Sequence, residues 1–151
     1  MDIYSKLKEL GLKVPPVPAV GGIYKPVKQV GNMLYVSGQV SKENDVRVVG
    51  KLGAERTVEE GQQAARLCVM NALSHLENHL GDLNKIKSLV ITLGFVASAP
   101  NFNQQPKVID GASALLRDLL GEEAGVGVRS AIGTNELPHN VTVEIEFLFE
   151  I

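Results

Sequence analysis

An α+β fold, a mixed sheet with two helices packed on one face, is what three features of the sequence predict. One long helix carries its own start and stop signals, a second apolar helical stripe follows, and strand-like stretches precede, separate and follow the two. At 151 residues the chain suits one domain with its own hydrophobic core. Residues 1–17 read as an N-terminal extension with a short helix, and 18–151 as the single domain.

Asp2 is placed to cap the short helix, which runs to about Leu10 with Ile3, Leu7 and Leu10 along one face and Gly11 after it. "VPPVPAVGG" then breaks regular structure, because prolines fix φ and lack an N–H donor. The first clear strand is "NMLYVSGQV", residues 32–40, where Leu34, Val36, Gly38 and Val40 alternate with Met33, Tyr35, Ser37 and Gln39. A short strand around 46–49 and a loop lead to the longest helix. Thr57 and Glu60 make a capping box there, and Ala64, Ala65, Cys68, Ala72, Leu76 and Leu80 recur at helical spacing until Gly81.

"KSLVITLGFVAS", residues 87–98, is apolar on both faces, as befits a strand in the middle of a sheet. The second helix is expected over about 106–120, with Val108, Ala112, Leu115, Leu116 and Leu119 on its inner face. "GVGVRSAI" and "NVTVEIEFLFEI" are the last two strands, and "GTNELPH" between them reads as the turn of a hairpin centred near Glu136 and Leu137. On the final strand Val141, Val143, Ile145, Phe147 and Phe149 turn toward the helices, leaving Thr142, Glu144, Glu146, Leu148 and Glu150 on the other face. No helix remains to cover that semi-apolar face, so a homo-oligomer is expected.

Composition narrows the function classes. Hydrophobic residues make up 44% and charged residues 21%, with a formal net charge of −2, which describes a soluble globular protein. Lys and Arg are scattered among Asp and Glu, so neither a nucleic-acid nor a membrane partner is expected. Cys68 is the only cysteine and sits within an apolar stripe, which excludes an intrachain disulfide and reads as a small core residue. With no signal-peptide pattern at the N-terminus, the expected location is cytoplasmic.

Phosphate-binding glycine loops, HExxH, CxxC and GxSxG are missing. His75 and His79 lie four apart on the long helix without an evident third ligand, so they read as packing or surface residues and no metal is expected. His139 reads as a solvated turn residue. What remains is Arg129 with Glu144 and Glu146. In the expected hairpin Arg129 lies opposite or diagonal to Glu144, which gives a cross-strand ion pair. The guanidinium is equally suited to receive a substrate carboxylate, with Gly125 and Gly127 leaving space and Ser130 adding a donor. Both readings stand on the residues alone.

Two separated motifs then resemble one family. In "YKPVKQVGNMLYVSGQV" a tyrosine, Tyr24, stands seven residues before "GN" and the strand carries "SGQ"; in "RSAIGTNELPHNVTVEIE" an Arg-Ser and a Leu-Pro precede a strand with Glu-x-Glu. Both are similar to the signatures of the RidA/YjgF family of enamine/imine deaminases, also called the endoribonuclease L-PSP family. The resemblance implies a chorismate-mutase-like fold, a homotrimer whose sheets form a central barrel, and ligand clefts between subunits. It implies cofactor-free hydrolysis of 2-imino acids, formed from enamines such as 2-aminoacrylate, to 2-keto acids and ammonia. Arg129 matches the arginine that binds the substrate carboxylate, Glu144 the glutamate that positions water, and Tyr24 the cleft tyrosine. Ala131 stands where the family often has a cysteine, leaving only its backbone donor, and Asp110 is an approximate counterpart of a cleft asparagine. A non-catalytic carboxylate-binding trimer and a ribonuclease are the competing functions.

Overall fold

The computed structural model describes residues 2–151, leaving Met1 outside the described residues. Helix α1 (Ile3–Glu9) starts at Asp2, whose carboxylate accepts the N–H groups of Tyr4 and Ser5. It is no loose appendage. Ile3 and Leu7 are buried in the core, and the Tyr4 hydroxyl accepts the Leu83 N–H at 3.0 Å. Two strands follow the proline-rich connector: β1 (Val27–Val30), which sequence reasoning did not resolve, and β2 (Met33–Val40). A small hairpin comes next, β3 (Lys42–Glu43) and β4 (Val46–Arg47).

Helix α2 (Val58–Leu80) has both arms of its capping box: Thr57 Oγ1 accepts from Glu60 N at 3.2 Å, and Glu60 Oε1 from Thr57 N at 3.1 Å. Gly81 ends it in the left-handed region at φ 76°, a conformation glycine adopts without steric cost. Strand β5 (Ser88–Ala97), α3 (Gln105–Leu120), a short α4 (Glu122–Gly125), β6 (Val128–Thr134) and β7 (Val143–Glu150) complete the chain. No helix among the described residues is long and apolar enough to cross a membrane.

The main sheet runs β1-β2-β7-β5-β6, antiparallel except for the parallel β5–β6 pair. This overturns the expected hairpin of the last two strands. β5 lies between β6 and β7, because strand, helix and strand over β5, α3 and β6 form a crossover that delivers β6 parallel to β5. The turn-like "GTNELPH" instead carries the chain past β5 to the centre of the sheet.

Helices α2 and α3 cover one face, as expected, and bury Leu34, Val36, Val143, Ile145 and Phe149 beneath them. Cys68 is fully buried there and its thiol pKa is pushed well up by desolvation, in line with a core role. The opposite face carries Tyr35, Ile91, Leu93, Phe95, Leu148 and Ile132, several of them exposed. In an isolated chain that is an uncovered apolar surface.

Candidate functional site

Glu144 sits near the start of β7, at the centre of the sheet, with Val40 of β2 and Phe95 of β5 as its register partners. Between Val36 and Gln39 the β2–β7 register shifts, and Gly38 lies in that irregularity. A Cβ on Gly38 would stand 3.0 Å from the Glu144 Cδ, so the glycine makes the room that the carboxylate occupies. The Glu144 side chain is half-buried, and its pKa is raised by desolvation first and by the neighbouring Glu146 second. Among the described residues Glu144 has no ion-pair partner to counter these two effects. A cavity of about 560 Å³ opens in front of it, walled by Tyr24, Ser37, Gly38, Gln39 and Glu146.

Arg129 is elsewhere. On edge strand β6 it is in register with Thr92 and turns to the helix side, where its Nη1 donates to Asp110 Oδ1 at 2.7 Å and Ser113 Oγ at 3.2 Å. The expected ion pair is therefore made with Asp110 of α3, and Glu144 is not its partner. Glu144 lies two strands and three register positions away, about 10 Å across the sheet and about 10 Å along it, on the opposite face. The two glycines do not leave ligand space either. Gly125 packs on the Leu116 carbonyl, and a Cβ on Gly127 would stand 2.5 Å from the Val90 oxygen, so both are required by close backbone packing. Ser130 projects exposed from the open face, while Ala131 faces the helices and packs against the core.

The predicted residues thus fall into two groups within a protomer: Tyr24 and Glu144 at the cavity, and Arg129, Ser130, Ala131 and Asp110 at the β6 edge. Sequence reasoning missed several cavity residues. Asn71 and His75, one turn apart, are polar residues buried in the sheet-facing side of α2, and Lys42 and Arg47 come from the small hairpin. The available signal was polar side chains interrupting an apolar helix. His75 and His79 diverge: the first is buried with its pKa lowered by desolvation and by Lys42, and the second is exposed and meets Gln29 at 3.0 Å. His139 is exposed in its turn at φ 56° and also borders the cavity. No three His, Cys, Asp or Glu side chains gather as a metal-binding group among the described residues.

The family model described as "YjgF/chorismate mutase-like, putative endoribonuclease" matches residues 4–150. The chain belongs to the YjgF/RidA family. Among relatives, it is 40% identical to protein TCP17 of Trypanosoma cruzi, covering 99% of this chain and 94% of that one. The crystal structure of Atu1372 from Agrobacterium tumefaciens, a protein of unknown function, is 42% identical with a TM-score of 0.90, covering 99% of this chain and 91% of that chain. A candidate endoribonuclease from Shewanella oneidensis is 34% identical over 100% of both chains, with a TM-score of 0.95. In this YjgF/RidA member the two separated motifs are physically joined, since Gly38 of "SGQ" makes way for Glu144 of Glu-x-Glu.

Proposed function

We propose that this protein hydrolyses reactive 2-imino acids to 2-keto acids and ammonia, working as a cytoplasmic homotrimer with clefts between its subunits. The observation that carries the proposal is Glu144: a half-buried carboxylate with a raised pKa, without an ion-pair partner among the described residues, at the wall of a cavity beside Tyr24. Such a group takes a proton more readily than an ordinary surface glutamate.

In the proposed reaction water adds to the carbon of the protonated imine while Glu144 takes the water's proton, giving a neutral carbinolamine. Glu144 returns that proton to the nitrogen, the C–N bond breaks, and ammonia leaves as the hydroxyl proton passes back to Glu144 and the C=O forms. An imine carbon is already electrophilic, so orientation and one proton shuttle suffice and no cofactor enters. The proposed trimer buries the open sheet face and sets the β6 edge of one protomer beside the Glu144 cavity of the next. Arg129 then exchanges its partly exposed Asp110 partner for the substrate carboxylate, with Ser130 and the Ala131 backbone adding donors. Surface ion pairs are weak enough for that exchange.

The test is ammonia release from imino acids generated in situ by an amino acid oxidase. Wild type should accelerate it, and Arg129→Ala and Glu144→Gln should each lose the effect. Equal rates for wild type and both variants would end this reading. The Arg129–Asp110 pair also favours a second reading, carboxylate binding without turnover, which would appear as keto-acid binding with ammonia release at the buffer rate. Ribonuclease activity is the weakest reading, because the chain has a formal net charge of −2 and its Lys and Arg are scattered among Asp and Glu.

A further inference from the structure

The cavity beside Glu144 has another end, where the chain doubles back in β3 and β4. Lys42 and Arg47 are direct cross-strand partners there. Opposed residues of an antiparallel pair project from one face, so the ribbon sets two cations side by side, an arrangement that is unfavourable in itself. Both side chains line the cavity, and neither has an ion-pair partner among the described residues. Neither makes an ion pair with Glu144 or Glu146, the carboxylates of the same cavity, among the described residues.

The ribbon is held in place. Asn71 Nδ2 donates to the carbonyls of Val40 and Lys42 at 3.1 and 2.9 Å, and Val48 N–H donates to Ser41 O at 2.8 Å. One turn beyond Asn71, His75 lines the same cavity with its buried Nδ1 left without a hydrogen-bond partner. Two opposed cations on an anchored ribbon, lining one cavity with an unpartnered ring nitrogen, suit an anionic group that also takes a hydrogen bond. At about 560 Å³ the cavity holds more than a three-carbon imino acid.

We propose that Lys42 and Arg47 form an anion subsite for a distal carboxylate of the substrate, making dicarboxylic imino acids and their keto-acid products the preferred ligands. This rests on the imine-hydrolysis reading, in which Arg129 holds the carboxylate next to the reacting carbon. The two cationic points then measure the length of the chain between them.

Calorimetric titration of the full chain with 2-oxoglutarate and 2-oxopentanoate tests it, because these probes share a five-carbon chain and differ in a terminal carboxylate against a methyl group. Wild type should bind 2-oxoglutarate at least about tenfold more tightly. In the double variant Lys42→Met, Arg47→Met, that ratio should fall to about one, with 2-oxopentanoate affinity unchanged. Both residues lie at the surface of a small hairpin, so the variant should keep its fold. Equal affinities in the wild type, or a ratio that survives in the double variant, would overturn the subsite while leaving imine hydrolysis standing. Failure of both keto acids to bind would overturn the subsite, and absence of imine turnover as well would remove both proposals.

Discussion

Glu144 and Arg129 are both charged side chains of the C-terminal motif, and the fold treats them in opposite ways. Glu144 lies on the central strand β7, half-buried, with its charge opposed by desolvation and by Glu146. Arg129 lies on edge strand β6, already satisfied by Asp110 and Ser113. One carboxylate is held out of balance at a cavity, and one cation is held in balance at an edge. Under the proposed hydrolysis, a single protomer would then hold its proton acceptor at the cavity and its carboxylate receptor elsewhere. A composite site, with the arginine of one protomer facing the glutamate of another, reconciles the two within the proposed trimer.

The largest expected effect follows from removing either side of that pairing. Glu144→Gln and Arg129→Ala should each lower imine turnover by about 100-fold or more, measured as ammonia release. Separate causes should be visible, since the glutamine variant keeps keto-acid affinity and the alanine variant loses it. In the pH profile, the limb assigned to Glu144 should lie above the ordinary glutamate value of about 4.3 and vanish in Glu144→Gln.

Two glycines sharpen the contrast further. An added Cβ at Gly38 meets the Glu144 side chain at 3.0 Å, so Gly38→Ala should displace the carboxyl by a few tenths of an ångström. Turnover should fall about tenfold with little change in stability. Gly127→Ala meets the Val90 carbonyl, which cannot swing aside, and should cost about 1–3 kcal/mol in denaturant unfolding.

Those glycines also show what was legible in the sequence. The helices were plain, because Thr57 and Glu60 announce a capping box and the apolar stripe ends at Gly81, and the inward residues of β7 followed from strict alternation. The pairing of β6 with β7 was misread because "GTNELPH" has the local chemistry of a hairpin turn, while strand order is a non-local property. The crossover of β5, α3 and β6 was the signal that pointed to parallel pairing. In the same way, Gly125 and Gly127 announce a close approach without saying whether backbone or ligand makes it. Tyr24 and Glu144 were found as cavity residues through the family motifs. Lys42, Arg47 and His75 were not, since the cavity joins a hairpin, a helix and two strands that are distant in the chain.

Smaller effects bear on stability. Because burial raises the pKa of folded Glu144, the folded state binds more protons than the unfolded state between the ordinary glutamate value and the raised one. Stability should therefore decline as pH rises through that window and remain lower above it. Glu144→Gln should remove this decline and stabilise the protein at neutral pH by no more than about 1 kcal/mol, given the solvent screening of a half-exposed group. Asp110→Asn should change stability least, by less than about 1 kcal/mol, because its pair with Arg129 is partly exposed. It should nevertheless tighten keto-acid binding by freeing the guanidinium.

The composite site is tested most directly by co-expressing Arg129→Ala and Glu144→Gln subunits under different tags and assaying the mixed oligomer for ammonia release. If each cleft takes Arg129 from one protomer and Glu144 from its neighbour, about a quarter of the clefts in a random mixture recover both wild-type residues. Activity of that order is expected from two inactive parents. A mixed oligomer as inactive as either parent, from a wild type that is active, would contradict the composite site.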